Sequence, residues 1–411
     1  MMLVQARALS TAAALVIGTT TAVAQPLCEP IIRHIERTAA GDAASPLFLP
    51  SYERGEGEAA LPPPIAQSAF SYDNALAIVA LVSCGELRAA QRIGGAFLSA
   101  MSSDRTFTDG RIRNAYRAGI VQPGPQPLPG WWDDRQQIWA EDAYQDGSQT
   151  GNVAWVGLSL LALEEATGDR RYRDAARRLA RWIADNALDQ REPGGATGGV
   201  AGFDAAQTPI RWKSTEHNLD AFALGSWLTR DGAEPAARKL VTAARPFLDA
   251  MFDRASGGFR MGTLPDGQPQ PDNVHALDAL IWPLLAVSDP PADWRRSLAL
   301  VKARLAVAGG YDFNGDRDGL WTEGTAQAAL VERSLGDRPE ADRLLAVVER
   351  FRAPSGLLYA TDRERVSTGL AIGDTSKEAD FFYFHRPHLG ATAWAILART
   401  GLNPFTGRKV D

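Results

Sequence analysis

Glu216, His217 and Asp220 fall within five residues of the segment STEHNLDAFALGSWL, where a helix would set the two carboxylates one turn apart on one face. Such a group can pass a proton to a leaving oxygen, because burial and neighbouring acids push a carboxyl pKa upward. Comparable residues recur along the chain: Asp73 in SYDNALA, Glu141 and Asp142 in WAEDAYQDG, His275 and Asp278 in NVHALDAL, Glu323 in WTEGTAQ, and His385, Arg386 and His388 in HRPHLGA. Four of the five histidines belong to this set, and only His34 lies elsewhere. Trp131, Trp132, Trp139, Trp155, Trp212 and Trp321 stand close to these residues in sequence. Aromatic faces beside carboxylates, amides and imidazoles suit a sugar, whose apolar faces stack while its hydroxyls take directional hydrogen bonds.

Structural roles compete with these. Glu216 after Ser214-Thr215 and Glu323 after Thr322 can equally complement a helix N-terminus, an effect of about 0.3–1 kcal/mol. Asp220 and Asp278 resist that reading, since both fall inside apolar helical stretches where an unpaired carboxylate is costly. Glu141 and Asp142 fit a loop cap as well as a general base. The run GGATGGVAGF has no strand before it and reads as a flexible loop, not a phosphate cradle. No G-x-S-x-G elbow, H-E-x-x-H or Walker pattern occurs. Asn314, Asp316, Asp318 and Gly319 match the opening of a calcium loop, but its twelfth position is Thr325 and Glu323 comes two residues early. A turn ahead of a helix is expected there, and neither metal nor other cofactor.

The elements that position these residues follow a recurring pattern: a polar, aromatic-rich loop, an apolar helix, a short turn, then a charged amphipathic helix. Apolar helices begin near Tyr72, Thr150, Ser214, Asn273, Thr322 and His388. Their charged partners run through LRAAQRIGGAFLSAM, RRYRDAARRLARWIADNAL, EPAARKLVTAARPFLDAMF, PADWRRSLALVKARLAV and RPEADRLLAVVERF, and CEPIIRHIERTAA near the start supplies a sixth. Gly168-Asp169, Asp231-Gly232 and Gly336-Asp337 mark stops and restarts within pairs. The spacing predicts an all-α (α/α)6 barrel of six helical hairpins, one domain over 25–411. Long insertions at 103–149, 189–213, 253–272 and 353–387 all precede inner helices, so they gather at one mouth. GGFRMGTLPDG and GLLYATDRERVSTG read as small hairpins in those loops.

A chain of 411 residues with 45% apolar content is ample for such a core. The net charge of -6, with no basic block, excludes nucleic acid as a partner. Arg7, the apolar run Ala8 to Ile17, and Ala22-Val23-Ala24 before Gln25 form a secretory signal, so residues 1–24 are expected to be removed. No later stretch spans a bilayer, and Leu27 before Cys28 argues against a lipid anchor. The expected location is periplasmic or secreted. Cys28 and Cys84, the two cysteines of the chain, can pair there or stay apart.

With inner helices starting in YDNALA, TGNVAW, STEHNLDA, NVHALDAL, WTEGTAQ and HRPHLGATAW, the sequence resembles the six-hairpin glycosidase superfamily over nearly all of the mature chain. The resemblance implies a monomeric glycoside hydrolase that cleaves a polysaccharide or oligosaccharide by paired carboxylates. Glu216 would be the acid, and Asp142, Asp73 or Glu323 the base, across roughly 6.5–9.5 Å in an inverting enzyme. Trp131, Trp132, Trp155, Trp212, Trp321, His217, Asp220, His275, Asp278, His385, Arg386 and His388 would hold sugar. Two other readings keep the fold: a polysaccharide lyase with His217 or Tyr383 as base and Arg386 on the uronate, and a non-catalytic carbohydrate-binding or exopolysaccharide-assembly protein. An isoprenoid-type toroid fits less well, because this mouth is rich in hydrogen-bonding groups.

Overall fold

In the computed structural model, described for residues 25–55, 57–230, 232, 234–271, 274–372 and 381–410, helices alternate between two layers. The expected signal at 1–24 lies outside the described residues, as do Asp231 and Asn273. In chain order the helices are α1 (Gln25–Ala39), α2 (Ser71–Ser83), α3 (Leu87–Ser102), the short α4 (Ala143–Asp146), α5 (Thr150–Thr167), α6 (Arg170–Asn186) and α7 (Thr215–Leu228). There follow α8 (Pro235–Met251), α9 (Leu277–Ile281), α10 (Pro283–Ala286), α11 (Ser297–Arg304), α12 (Thr322–Ser334), α13 (Arg338–Glu349) and α14 (Leu389–Thr400). The helices α2, α5, α7, α9 with α10, α12 and α14 pack in that order into a ring that closes where α14 meets α2. Around it lie α3, α6, α8, α11, α13 and α1, each against its hairpin partner.

The two layers follow from side-chain type. Inner α5 is buried along Thr150–Leu163, because small and apolar residues occupy all sides of it. Outer α6 buries only Tyr172, Ala175, Ala176, Leu179, Ala180, Trp182 and Ile183, the stripe that its helical period repeats, and leaves Arg170, Arg171, Arg178 and Arg181 exposed to water. Gly168 ends α5 in a left-handed conformation (φ 73°), and Asp169 starts α6 by accepting the Arg171 N–H. Gly336 and Asp337 repeat this between α12 and α13.

The fourth inner helix departs from the expected continuous stretch near Asn273. It begins at Leu277 and is interrupted at Trp282, because Pro283 has no N–H for the helical ladder. His275 therefore precedes the helix, and Asp278 sits in its first turn instead of one turn below a helical His275.

Each inner helix is entered from one to three residues of extended chain paired with a segment that follows in sequence or, for the last hairpin, precedes it. Ser68–Phe70 pairs with Ala115–Arg117, Ser148–Gln149 with Gly199–Ala201, Lys213–Ser214 with Gly262–Thr263, and Pro387–His388 with Leu358–Tyr359. Single bridges Ala276–Asn314 and Trp321–Thr361 do the same for α9 and α12. The expected small hairpins thus exist as strands, but Gly262–Thr263 and Leu358–Tyr359 pair with helix entries and not within their own segments. This belt fixes where every first-turn side chain points.

The N-terminal helix α1 packs on α14 and α2, closing the outer ring from the opposite end of the chain. Cys28 of α1 and Cys84, the residue capping α2, form a disulfide. Among the described residues no helix is long and apolar enough to cross a membrane.

Candidate active site

The first turns of the inner helices converge on one end of the ring. Tyr72 and Asp73 come from α2, Glu216, His217 and Asp220 from α7, Asp278 from α9, Glu323 and Gln327 from α12, and His388 caps α14. The Tyr72 hydroxyl donates to Glu323 Oε1 at 2.7 Å and accepts from Trp394 Nε1 at 2.8 Å. Gln327 Nε2 donates to the same Glu323 oxygen at 3.4 Å, and Gln327 Oε1 accepts from Trp282 Nε1 at 3.0 Å. A chain of donors from the aromatic floor therefore ends on one oxygen of Glu323, while among the described residues no hydrogen bond reaches its buried Oε2.

His388 lies between two acids, with Nε2 3.4 Å from Asp73 Oδ2 and Nδ1 3.6 Å from Glu323 Oε2. Its Nδ1 also accepts the Ala391 N–H at 3.2 Å, which favours the tautomer protonated on Nε2, toward Asp73. Tyr52 stacks on the imidazole at a centroid distance of 4.5 Å, and Tyr383 approaches it edge-on at 6.0 Å. Burial lowers the His388 pKa, but Asp73 and then Glu323 outweigh it and hold it above the usual value.

The acids carry the opposite perturbation. Burial pushes Glu216 up to about 7 and Glu323 also to about 7. Asp220 is raised well above the carboxylate range by burial and then by Glu216, although a Trp155 hydrogen bond offsets part of that. Asp278 is raised by burial and by both Glu216 and Glu323, so it lies within electrostatic reach of each. Asp220 Oδ1 and Asp278 Oδ1 are buried with no donor among the described residues. Burial lowers His217 to about 4, which makes it a neutral imidazole at pH 7.

Gly151 and Gly390 permit this crowding. A Cβ at Gly151 would lie 2.6 Å from His217 Cδ2 and 3.1 Å from Asp220 Oδ2. One at Gly390 would lie 2.5 Å from Asp73 Oδ1 and 2.8 Å from Glu323 Oε2.

Among the sequence-predicted residues, Glu216, His217, Asp220, Asp73, Asp278, Glu323 and His388 are grouped at this end of the ring. His275 stands in the extended entry to α9. Trp212 lies 5.5 Å from the His217 ring and is partly exposed beside it. Trp155 and Trp321, expected as sugar platforms, are instead buried. Trp155 packs among Tyr72, Trp282, Trp394 and Phe405, and Trp321 against Phe313 and Tyr383. They form the floor and wall of the site.

The other predicted residues lie further out. Asp142 caps α4 by accepting the Tyr144 and Gln145 N–H groups, and Glu141 pairs with Arg105, so this pair is built into a loop. Trp131 and Trp132 belong to a hairpin in which Trp132 faces Trp139 and both are about half exposed, at 52% and 48%. His385 stacks on Tyr359, and Arg386 lies 3.4 Å from Glu58. Tyr52 and Tyr72 were not anticipated. Tyr72 adjoins Asp73 at an inner-helix start, a signal that position alone offered; Tyr52 comes from the loop after α1, where no periodic pattern marks it.

No family model matches the chain, and no curated protein is similar to it in sequence. Solved structures do match. A glycosidase solved in complex with glucose superposes with a TM-score of 0.59 at 14% identity, covering 93% of this chain and 98% of its own. The chain has the fold of the six-hairpin glycosidases. A novel alpha-amylase from Clostridium perfringens matches with a TM-score of 0.59 at 10% identity over 94% of this chain and 99% of its own. Cellobiose 2-epimerase from Bacillus thermoamylovorans B4167 gives 0.60 at 10% identity, over 92% and 100%. The six-hairpin scaffold is thus similar to both hydrolytic and epimerising proteins.

Proposed function

We propose that the protein is a glycoside hydrolase acting outside the cytoplasm, as a monomer, on a polysaccharide or oligosaccharide. The observation that carries this reading is the pair Glu216 and Glu323, set on first turns of α7 and α12 on either side of Asp278, both holding protons up to about neutral pH. Glu216 is the partly exposed member and is assigned as the general acid that protonates the leaving oxygen. Glu323 is assigned as the base. Its ionised form is supported by the Tyr72 hydroxyl and the Gln327 amide, which both donate to it. The acceptors on Asp220, Asp278 and Glu323 that no donor among the described residues reaches are matched by a ligand rich in hydroxyl donors. Trp212 and Tyr383 offer the partly exposed ring faces beside them. The signal-like pattern of residues 1–24 and the Cys28–Cys84 disulfide support export.

The lyase reading loses support at Tyr383 and Arg386, while its other base candidate, His217, remains a neutral imidazole at pH 7. Tyr383 is pushed well above the usual tyrosine value by burial, and Arg386 is engaged by Glu58 and the His385 carbonyl. A second reading, epimerisation by proton transfer at a sugar carbon, is favoured by one observation: His217 is neutral at pH 7 and lies close to Asp220. The deciding experiment incubates the protein with bacterial and plant glycans in deuterated water, following new reducing ends and deuterium at carbon. Reducing ends without carbon-bound deuterium, abolished in Glu216→Gln, establish the hydrolase. Deuterium incorporation without cleavage establishes the epimerase.

A further inference from the structure

Away from the candidate active site, the loop leading into α12 gathers three aspartates. One carboxylate oxygen from each of Asp312, Asp316 and Asp318 lies within 4.8 Å of the others. Among the described residues no arginine, lysine or histidine forms an ion pair with any of them. Like charges so close repel strongly unless a cation or shared protons intervene. Asp316 and Asp318 are exposed, but Asp312 is fully buried at 0%. Its Oδ1 accepts the Phe313 N–H, and its Oδ2 is buried with no hydrogen-bond donor among the described residues.

The loop is wound as a cation loop would be. Asn314 Oδ1 accepts the Asp316 N–H at 2.8 Å, and Asp316 Oδ1 accepts the Asp318 N–H at 3.0 Å, so successive side chains turn inward. Asp318 Oδ2 takes the Ser367 N–H at 3.0 Å, and Asn314 Nδ2 donates to the Ser367 carbonyl at 3.1 Å. The sequence motif breaks at its twelfth position, where a glutamate should complete the ligand set. Asp312, two residues ahead of the motif, supplies from the other side the buried carboxylate that the missing glutamate would have given.

We propose that Asp312, Asp316 and Asp318 bind one Ca2+ ion. Three hard oxygen donors of this kind, two of them on residues open to water, suit Ca2+, whose bonds of about 2.3–2.6 Å let one ion bridge oxygens up to roughly 5 Å apart. Mg2+ holds its ligands closer and keeps its waters more tightly, which suits this spread less well. In the absence of a cation, burial with the charges of Asp316 and Asp318 pushes the Asp312 carboxyl up to about 8.

The ion would brace the mouth of the barrel. Phe313 and Asn314 anchor the entry to α9 through the Leu277 N–H and the Ala276 bridge, and the same loop runs on into α12 and Glu323. Ser367 opens the arm that returns through Tyr383. A cation here would join three segments that line the acids without touching them.

The test needs no substrate. The protein is stripped with a chelator and titrated with Ca2+ by calorimetry, and its thermal unfolding is followed with and without the ion. Binding of one Ca2+ per chain with a Tm rise of roughly 3 °C or more is expected, and a weaker response to Mg2+. Asp316→Asn and Asp318→Asn, both at exposed positions where an amide oxygen keeps the turn hydrogen bonds, should weaken Ca2+ binding by about tenfold or more with unchanged circular dichroism. Absence of binding at millimolar Ca2+, or wild-type affinity in both variants, would overturn the assignment.

Discussion

A glutamic acid that protonates a leaving oxygen near neutral pH must keep its proton there, which burial arranges for Glu216 by holding it at about 7. The kcat/KM profile is therefore expected to be a bell centred at about pH 7, falling above it as Glu216 ionises and below it as the base Glu323 takes up a proton, and Glu216→Gln should lose roughly 10²- to 10⁴-fold in kcat. A flat profile from pH 6 to about 9 would remove Glu216 from the acid's role. Glu323 gives a stability signature of the same chemistry. Its folded value of about 7 lies above the ordinary 4.5, so the native state binds the proton more tightly than the unfolded chain. The stability this contributes is complete below pH 4.5 and is lost as pH rises through 7. Glu323→Gln has no such loss, because its amide never ionises while Tyr72 can still donate to it. Relative to the wild type it should gain up to about 3 kcal/mol between acid and alkaline pH. Urea midpoints measured on both sides of neutrality check this; a parallel pH dependence in the two proteins would mean that Glu323 titrates normally.

At the scale of elements, the site depends on how closely inner helices approach. Gly390 lies in the first turn of α14, and a methyl there would meet Asp73 Oδ1 at 2.5 Å, Glu323 Oε2 at 2.8 Å and His388 Cε1 at 3.0 Å. Alanine is the better helix former by about 1 kcal/mol, so Gly390→Ala opposes a propensity gain to a local clash. Its kcat is expected to fall about 10- to 100-fold while Tm moves little, since displacement of an acid by a fraction of an ångström is enough. Full activity in that variant would show that the Asp73, Glu323 and His388 group is structural only. The sequence made part of this legible. Asp220 below Glu216 follows from their spacing of four on an unbroken helix, and α7 is unbroken there. His275 and Asp278 did not follow the same rule, because the pairing of Ala276 with Asn314 keeps the chain extended to the start of α9. Trp155 and Trp321 read as ring platforms from their polar neighbours, yet their large apolar area is buried where inner helices meet. A linear sequence does not distinguish a tryptophan beneath a site from one beside it.

On the scale of the molecule, hairpin count was legible because small apolar helices and charged amphipathic helices alternate, and five outer helices for six inner ones left one place for the N-terminal segment. What the sequence could not specify is how firmly that segment is held. Helix α1 completes the outer ring from the far end of the chain, resting on α14 and α2 through buried residues such as Ile31 and Ile35. The Cys28–Cys84 bond ties it to the end of α2 across a separation of 56 residues. A crosslink closing a loop of that length restricts the unfolded chain, and the stabilisation expected from such loops is about 2–4 kcal/mol. Replacing both cysteines by serine should lower the denaturant midpoint accordingly, and a reductant should do the same to the wild type while leaving the variant unchanged. The loss is expected to begin at α1, so proteolysis of the variant under native conditions should cut first within 25–39, before the inner ring opens. Equal midpoints for the two proteins would mean that the packing of α1 on α14 and α2 closes the barrel without the covalent tie.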